Sequence, residues 1–326
     1  MHKSSISFAP AVSFGLTALL LSVTQVASSF PLLLSERFWP GAGWVQIFFM
    51  ALYSAFLTRE FLIPQRARQL RPKIWMLFSI VFFIQLILGL AGLEKFLMTG
   101  KLHLPLPALI VAGPIYRGSE FFMPILLLIT LILVGPAWCS HLCYIGAWED
   151  HLSRKAPAMG NLPEWRPKAR FAILLLVIAG AFGLRYLGIS ATIALAISIL
   201  FALAGIAIML LISRRNGAMT HCLTYCPIGL LGNLLGRLSL FQIRISEDCS
   251  NCMACSKVCK YEALKPSDIE KRRAGLTCTL CGDCVSSCHK GQINYRLPFA
   301  GPGFARQAFI VLIISLHSLF LAVARI

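Results

Sequence analysis

The sequence predicts an α-helical polytopic membrane protein with a small, cysteine-rich α+β domain near its C-terminus. Three observations carry this. Hydrophobic residues make up 57% of the 326 residues and charged residues only 13%, too apolar a balance for one water-soluble domain. Apolar runs of about 20 residues, the length that spans hydrocarbon as a helix, recur along the chain. Eight of the 12 cysteines fall between positions 249 and 288, in two copies of one spacing.

Seven runs qualify as spans, at roughly 10–34, 44–63, 74–93, 120–138, 171–189, 191–212 and 305–324. In lipid the backbone must satisfy its own polar groups, so these segments are helices. The first begins after His2-Lys3 and contains Val26-Ala27-Ser28-Ser29, a pattern shared with cleaved secretory signals. Its apolar stretch continues to Leu34, which favours an uncleaved span. The expected organisation is residues 1–240 as a six-span part, 241–300 as a cytoplasmic cysteine-rich domain and 301–326 as a seventh span.

Basic residues set the orientation. Arg66, Arg68, Arg71 and Lys73 form one positive loop, Arg154, Lys155, Arg166, Lys168 and Arg170 another, and Arg214 and Arg215 a third. With the N-terminus inside, the opposite face keeps only Arg37, Lys95, Lys101, Arg117, Arg185 and Arg325 of the 30 basic residues. Positive loops stay cytoplasmic, so an inner-membrane protein with its cysteine-rich domain inside the cell is expected. The net charge of +17 is then chiefly an orientation signal. It is dispersed among hydrophobic spans, which argues against a nucleic-acid partner.

The eight cysteines read Cys249-x2-Cys252-x2-Cys255-x3-Cys259 and Cys278-x2-Cys281-x2-Cys284-x3-Cys288. This is the spacing that holds cubane [4Fe–4S] clusters in bacterial two-cluster ferredoxins, where the fourth cysteine of each run ligates the other cube. One cluster is therefore assigned to Cys249, Cys252, Cys255 and Cys288, and the other to Cys278, Cys281, Cys284 and Cys259. Zinc sites favour paired cysteines with a longer spacer, and disulfides need an oxidising compartment. The proline that commonly follows the last cysteine is replaced by Lys260 and His289.

The remaining four cysteines form a second repeat. Cys139-x3-Cys143-Tyr144-Ile145-Gly146 follows the fourth span and Cys222-x3-Cys226-Pro227-Ile228-Gly229 follows the sixth. Spans three–four and five–six therefore read as parallel repeats. Cysteines at i and i+4 share a helix face, and pairing the units gathers four thiols. A third iron–sulfur cluster, a pair of redox-active dithiols and simple packing are all compatible with that pattern.

With these motifs in view, the chain resembles the NapH/NosR-type membrane-bound polyferredoxin family, the NapH–MauN branch in particular. The likeness rests on the helical membrane part, the two Cys-x3-Cys motifs after spans and the two-cluster segment, and it covers the chain from span three onward. It implies passage of electrons between membrane quinol, [4Fe–4S] clusters and other redox proteins, or support for maturation of another enzyme. Tyr144 departs from the family's proline, which Pro227 keeps.

Other polar positions are weaker candidates. His103, Arg117 and Glu120 lie in a Pro/Gly-rich outer segment where a quinone head group or a partner would find them, although an ordered loop with an Arg–Glu pair is the plainer reading. His141 and His221 adjoin the membrane cysteines and have the titration range to accept quinol protons. Arg59 and Glu60 read as a charge pair at a span's edge. Only His317 sits deep in an apolar run, which disfavours an intrinsic haem, and no nucleotide-binding loop or hydrolytic constellation is present. The expected function is electron relay between the quinone pool and redox partners through two [4Fe–4S] clusters. The alternative is an accessory factor supplying reducing equivalents during assembly of another metalloenzyme.

Overall fold

The structure is a computed structural model and describes residues 7–96, 106–160 and 162–323. His103, Lys101 and Arg325 lie outside the described residues. The chain forms two compact units, one of residues 1–103 with 295–326 and one of residues 104–294.

In chain order the helices are α1 (Ala9–Ala27), α2 (Leu34–Phe38), α3 (Gly43–Phe61), α4 (Pro64–Leu90), α5 (Leu109–Arg117) and α6 (Phe122–His141). Then come α7 (Tyr144–Ser153), α8 (Arg166–Tyr186), α9 (Ala191–Asn216), α10 (Thr220–Thr224) and α11 (Pro227–Leu235). Strand β1 (Gln242–Ile245), helices α12 (Ala254–Val258), α13 (Pro266–Glu270) and α14 (Asp283–Ser287), strand β2 (Ile293–Arg296) and α15 (Pro302–Val323) complete the order. Strands β1 and β2 make a two-stranded sheet.

Among the described residues six helices are long and apolar enough to cross a membrane: α1, α4, α6, α8, α9 and α15. The run expected at 44–63 is the 19-residue helix α3, but Gln46, Arg59 and Glu60 leave it less apolar than those six. Helix α1 ends at Ala27 rather than Leu34, because Ser28 accepts from Phe30 N and donates to Phe30 O, closing a local turn that competes with the helix. Helix α4 starts at Pro64, ten residues before its apolar core, since proline at the first helical position costs no hydrogen bond.

In the first unit, α1, α3 and α15 pack together along a buried line of hydroxyls. Ser13 and Ser54 lie 2.6 Å apart, Thr17 donates to Ser54 at 2.8 Å, and Thr58 donates to Ser13 at 2.8 Å. Small residues of this kind let helices approach closely where lipid offers no hydrophobic drive. Arg306 of α15 caps the end of α3 by donating to the carbonyls of Phe61 and Leu62, which have no intrahelical partner. Glu60 receives both Arg59 and Arg66. His317 is buried beside Tyr53, whose hydroxyl lies 3.3 Å from Nε2.

In the second unit, α5 lies along α8, and α8 also carries α10 and α11. The Pro/Gly-rich segment is ordered by Tyr116, whose hydroxyl donates to the Ile189 carbonyl at 2.7 Å, and by an Arg117–Glu120 pair at 2.9 Å. Arg166 pairs with Glu262 in a nearly buried ion pair, and Glu262 also accepts from Leu162 N.

Candidate metal centres

Each C-terminal cysteine run folds as a tight coil followed by a single helical turn. The middle cysteines, Cys252 and Cys281, are flanked on both sides by left-handed residues: Asn251 (φ 53°) and Met253 (φ 59°) in one run, Leu280 (φ 55°) and Gly282 (φ 80°) in the other. A third left-handed position follows three residues after the last cysteine, at Glu262 (φ 46°) and Gly291 (φ 64°). Side chains other than glycine enter this region at a cost and stay there only when their surroundings demand it. Two runs that repeat the same backbone conformation at the same offsets are two copies of one structural device. Helices α12 and α14, which follow these coils, pack on one another.

The sulfurs at the ends of the runs are equivalently placed. Ala263 N donates to Cys259 Sγ at 3.3 Å, and Gln292 N donates to Cys288 Sγ at 3.2 Å. Cys259, Cys278, Cys281 and Cys284 line one cavity, whose apolar wall includes Ile243, Tyr261 and Leu264. Burial pushes the Cys259 thiol up to about 12, and the neighbouring Cys278 adds to the shift. Burial also holds Cys278 at about 12 and Cys284 well above the ordinary thiol range. In the other run Cys255 is raised by burial first, with Cys249 and Cys252 as charged neighbours, and Cys252 is the exposed member of the three. Cys288 is half-buried at the end of α14.

This donor set fits a cluster. Buried thiols held so high keep their protons in the protein alone, and thiophilic metal must displace those protons to bind. Backbone N–H groups aimed at sulfur then stabilise the thiolate form. Three sulfurs from one run and one from the other, on a common apolar-walled cavity, suit a four-thiolate [4Fe–4S] centre.

The other four cysteines are brought together inside the second unit. Cys143 and Cys226 cap the N-termini of α7 and α11 with almost identical backbone angles (φ −77°, ψ 114° and φ −72°, ψ 114°). Each sulfur accepts from the amide three residues on, Gly146 N or Gly229 N, at 3.4 Å. The residue after each capping cysteine is the first of its helix. Proline is favoured there and not required, which is why Tyr144 and Pro227 serve in the same geometry. All four thiols are 6–8% exposed, and they are electrostatic neighbours: Cys143 of Cys139 and Cys226, and Cys222 of Glu149 first and then of Cys226 and Cys143.

Two charged residues frame this group. Glu149, six residues past Cys143, is fully buried and accepts from His221 N at 2.6 Å, Cys222 N at 3.1 Å and the Ser213 hydroxyl at 2.8 Å. The helix of one repeat thereby caps the first turn of the other. Its counterpart six residues past Cys226 is Gly232, where a Cβ would lie 3.4 Å from Cys139 Sγ. Arg170 of α8 is 5% exposed, donates to the Cys226 carbonyl at 3.4 Å, and lies so close to Gly229 that a Cβ there would be 2.6 Å from Nη2. His141 is buried, with Nδ1 3.0 Å from the Ser140 hydroxyl, and His221 Nδ1 is 3.6 Å from Glu149. Sequence reasoning missed Glu149 altogether. The one available signal was an acidic residue on the short helix that follows a cysteine cap.

A family model described as a 4Fe-4S binding domain matches residues 117–160, the stretch holding Cys139, Cys143 and Glu149. Over 228 residues the chain is 26% identical to the Escherichia coli K12 protein named "Putative electron transport protein YccM", covering 62% of this chain and 59% of that one. Over 78 residues it is 28% identical to the uncharacterised protein MJ0749 of Methanocaldococcus jannaschii, covering 24% of this chain and 30% of the other. The chain thus spans less than two thirds of these relatives. No solved structure matches it. A 4Fe-4S binding domain and a relative named for electron transport are what this chain is similar to.

Proposed function

We propose that the protein is a multi-pass inner-membrane electron carrier of the NapH/NosR type, relaying electrons between the quinone pool and redox partners through two [4Fe–4S] clusters. The observation that carries this reading is the cavity shared by Cys259, Cys278, Cys281 and Cys284, one sulfur from the first run and three from the second. Those four residues hold one cluster, and Cys249, Cys252, Cys255 and Cys288 hold the other, in a ferredoxin-like domain spanning 241–300. A bound [4Fe–4S] cluster supplies one-electron chemistry. The chain's own residues seat it: Ala263 N and Gln292 N donate to sulfur, the Ile243–Tyr261–Leu264 wall excludes water, and exposed Cys252 puts the first run within reach of a partner. The match to a 4Fe-4S binding domain over residues 117–160 and the likeness to a protein named for electron transport support iron–sulfur electron transfer. The basic loops favour the cytoplasmic side for the domain.

The test is quinol-driven reduction of anaerobically purified protein, followed by paramagnetic resonance with iron and acid-labile sulfide measured per chain. At least about eight irons per chain, with reduced-cluster signals appearing on quinol addition, are expected. Full iron with signals that appear with dithionite but never with quinol overturns the quinone link and leaves the accessory role. Protein that lacks sulfide overturns the clusters themselves.

A further inference from the structure

The second unit buries a permanent cation where no carboxylate meets it. Among the described residues Arg170 makes no ion pair, and its hydrogen-bond partners are the Cys226 carbonyl and, with the Asn233 amide oriented to satisfy both groups, the Asn233 oxygen. A guanidinium stays charged under all ordinary conditions, and burying it without a facing anion is costly. The groups arranged around it are Cys139, Cys222 and Cys226. Glu149 is also within electrostatic range, but its oxygens are engaged by the His221 and Cys222 amides and the Ser213 hydroxyl. Metal binding would turn these cysteines into the anions that Arg170 faces.

We infer that Cys139, Cys143, Cys222 and Cys226 form a separate four-thiolate iron–sulfur site built across the two membrane repeats, with Arg170 as its counter-charge and Glu149 as the residue that holds the repeats in register. Three independent features favour this over packing. Both capping cysteines receive a backbone N–H at sulfur, in matching geometry. A buried cation faces the group. A glycine stands where a larger side chain would collide: a Cβ at Gly229 would lie 2.6 Å from Arg170 Nη2 and 3.2 Å from the Cys222 carbonyl. Apolar packing calls for none of these. The 4Fe-4S binding-domain match covers one of the two cysteine pairs, which favours iron–sulfur over a single zinc ion. The inference does not depend on the cavity around Cys278, so the two assignments stand or fall separately.

The experiment compares iron, zinc and acid-labile sulfide per chain in anaerobically purified wild type, in Cys139→Ser/Cys222→Ser, and in Cys252→Ser/Cys281→Ser, each in the full-length chain. Iron and sulfide above eight per chain in wild type, about twelve if the third centre is a cube, are expected. The first variant should lose only the excess, and the second should retain that excess while losing the rest. Wild type at eight or fewer with the first variant unchanged overturns the site, and so does zinc in place of iron. Should the first variant fail to accumulate, Arg170→Gln and Arg170→Lys give a second readout. Loss of the positive charge should move one midpoint potential downward in Arg170→Gln, with the others fixed and iron retained, and Arg170→Lys should restore most of the shift. Retained iron with every potential unmoved in Arg170→Gln overturns the counter-charge role.

Discussion

Ser140 Oγ donates to the Thr279 carbonyl at 2.8 Å, joining the turn between Cys139 and Cys143 to the turn between Cys278 and Cys281. A second tie of the same kind runs from Met219 N to the Lys260 carbonyl at 3.0 Å. Thr279 and Lys260 directly follow Cys278 and Cys259, two of the cysteines on the cavity. Each membrane repeat therefore fixes the backbone beside one of them. The first prediction follows: Ser140→Ala leaves a buried carbonyl without its donor, at a cost of about 1–3 kcal/mol. A lower thermal midpoint in detergent, with iron content unchanged, is the expected outcome.

Cys281→Ser should remove one of the proposed clusters. Iron and sulfide should fall by about four per chain, one paramagnetic signal should vanish, and proteolysis should open the segment after Phe241, because metal binding contributes folding free energy. Undiminished iron would show that Cys281 is no ligand.

Glu149→Ala should be far more damaging than an average surface change. It strands three buried donors, His221 N, Cys222 N and the Ser213 hydroxyl, each worth about 1.5–3 kcal/mol when bonded to a charged group. Glu149→Gln keeps an acceptor and should be intermediate. Protein accumulated in membranes and thermal midpoints across wild type, Gln and Ala should fall in that order, and equal values for all three would remove Glu149 from its structural role.

Glu36 supplies a pH signature for the first unit. Its carboxylate accepts from Gly41 N and Gly43 N at 2.8 Å, and the Gly41 bond, then the Gly43 bond, hold it below the ordinary carboxyl value of 4.5. A lowered folded-state value means the stabilisation is fully present above 4.5 and is lost as pH falls through the folded value. Amide exchange at Gly41 and Gly43, corrected for its intrinsic pH dependence, should lose protection only under those acid conditions. Glu36→Gln should abolish that pH dependence.

Much of this was legible in the chain, for physical reasons that also mark where legibility ends. Cysteine spacing is visible in the chain itself, so both runs and the repeat of the Cys-x3-Cys units stand out from sequence alone. Apolar length encodes spans, and it faltered at α3, where Gln46, Arg59 and Glu60 dilute the signal, and at Ser28, whose side chain ends a helix that hydropathy alone would extend. Arg166 and Arg170 read as ordinary members of a positive loop. Both are buried in specific company, Arg166 with Glu262 and Arg170 with the Cys226 carbonyl, because a topology signal and a buried structural partner use the same residue type. The left-handed Met253 and Leu280 carry no sequence mark, since their backbone is set by the coil around Cys252 and Cys281, whereas Asn251 is a residue type that enters this region readily.

The unlike residues at matching positions, Glu149 in one repeat and Gly232 in the other, make the duplicated scaffold handed. On one side a sealed carboxylate is spent on the amides of the other half, and on the other side bare main chain lies against Cys139. Polarity of this sort lets two near-copies of one fold present different chemistry to opposite neighbours without any change of backbone.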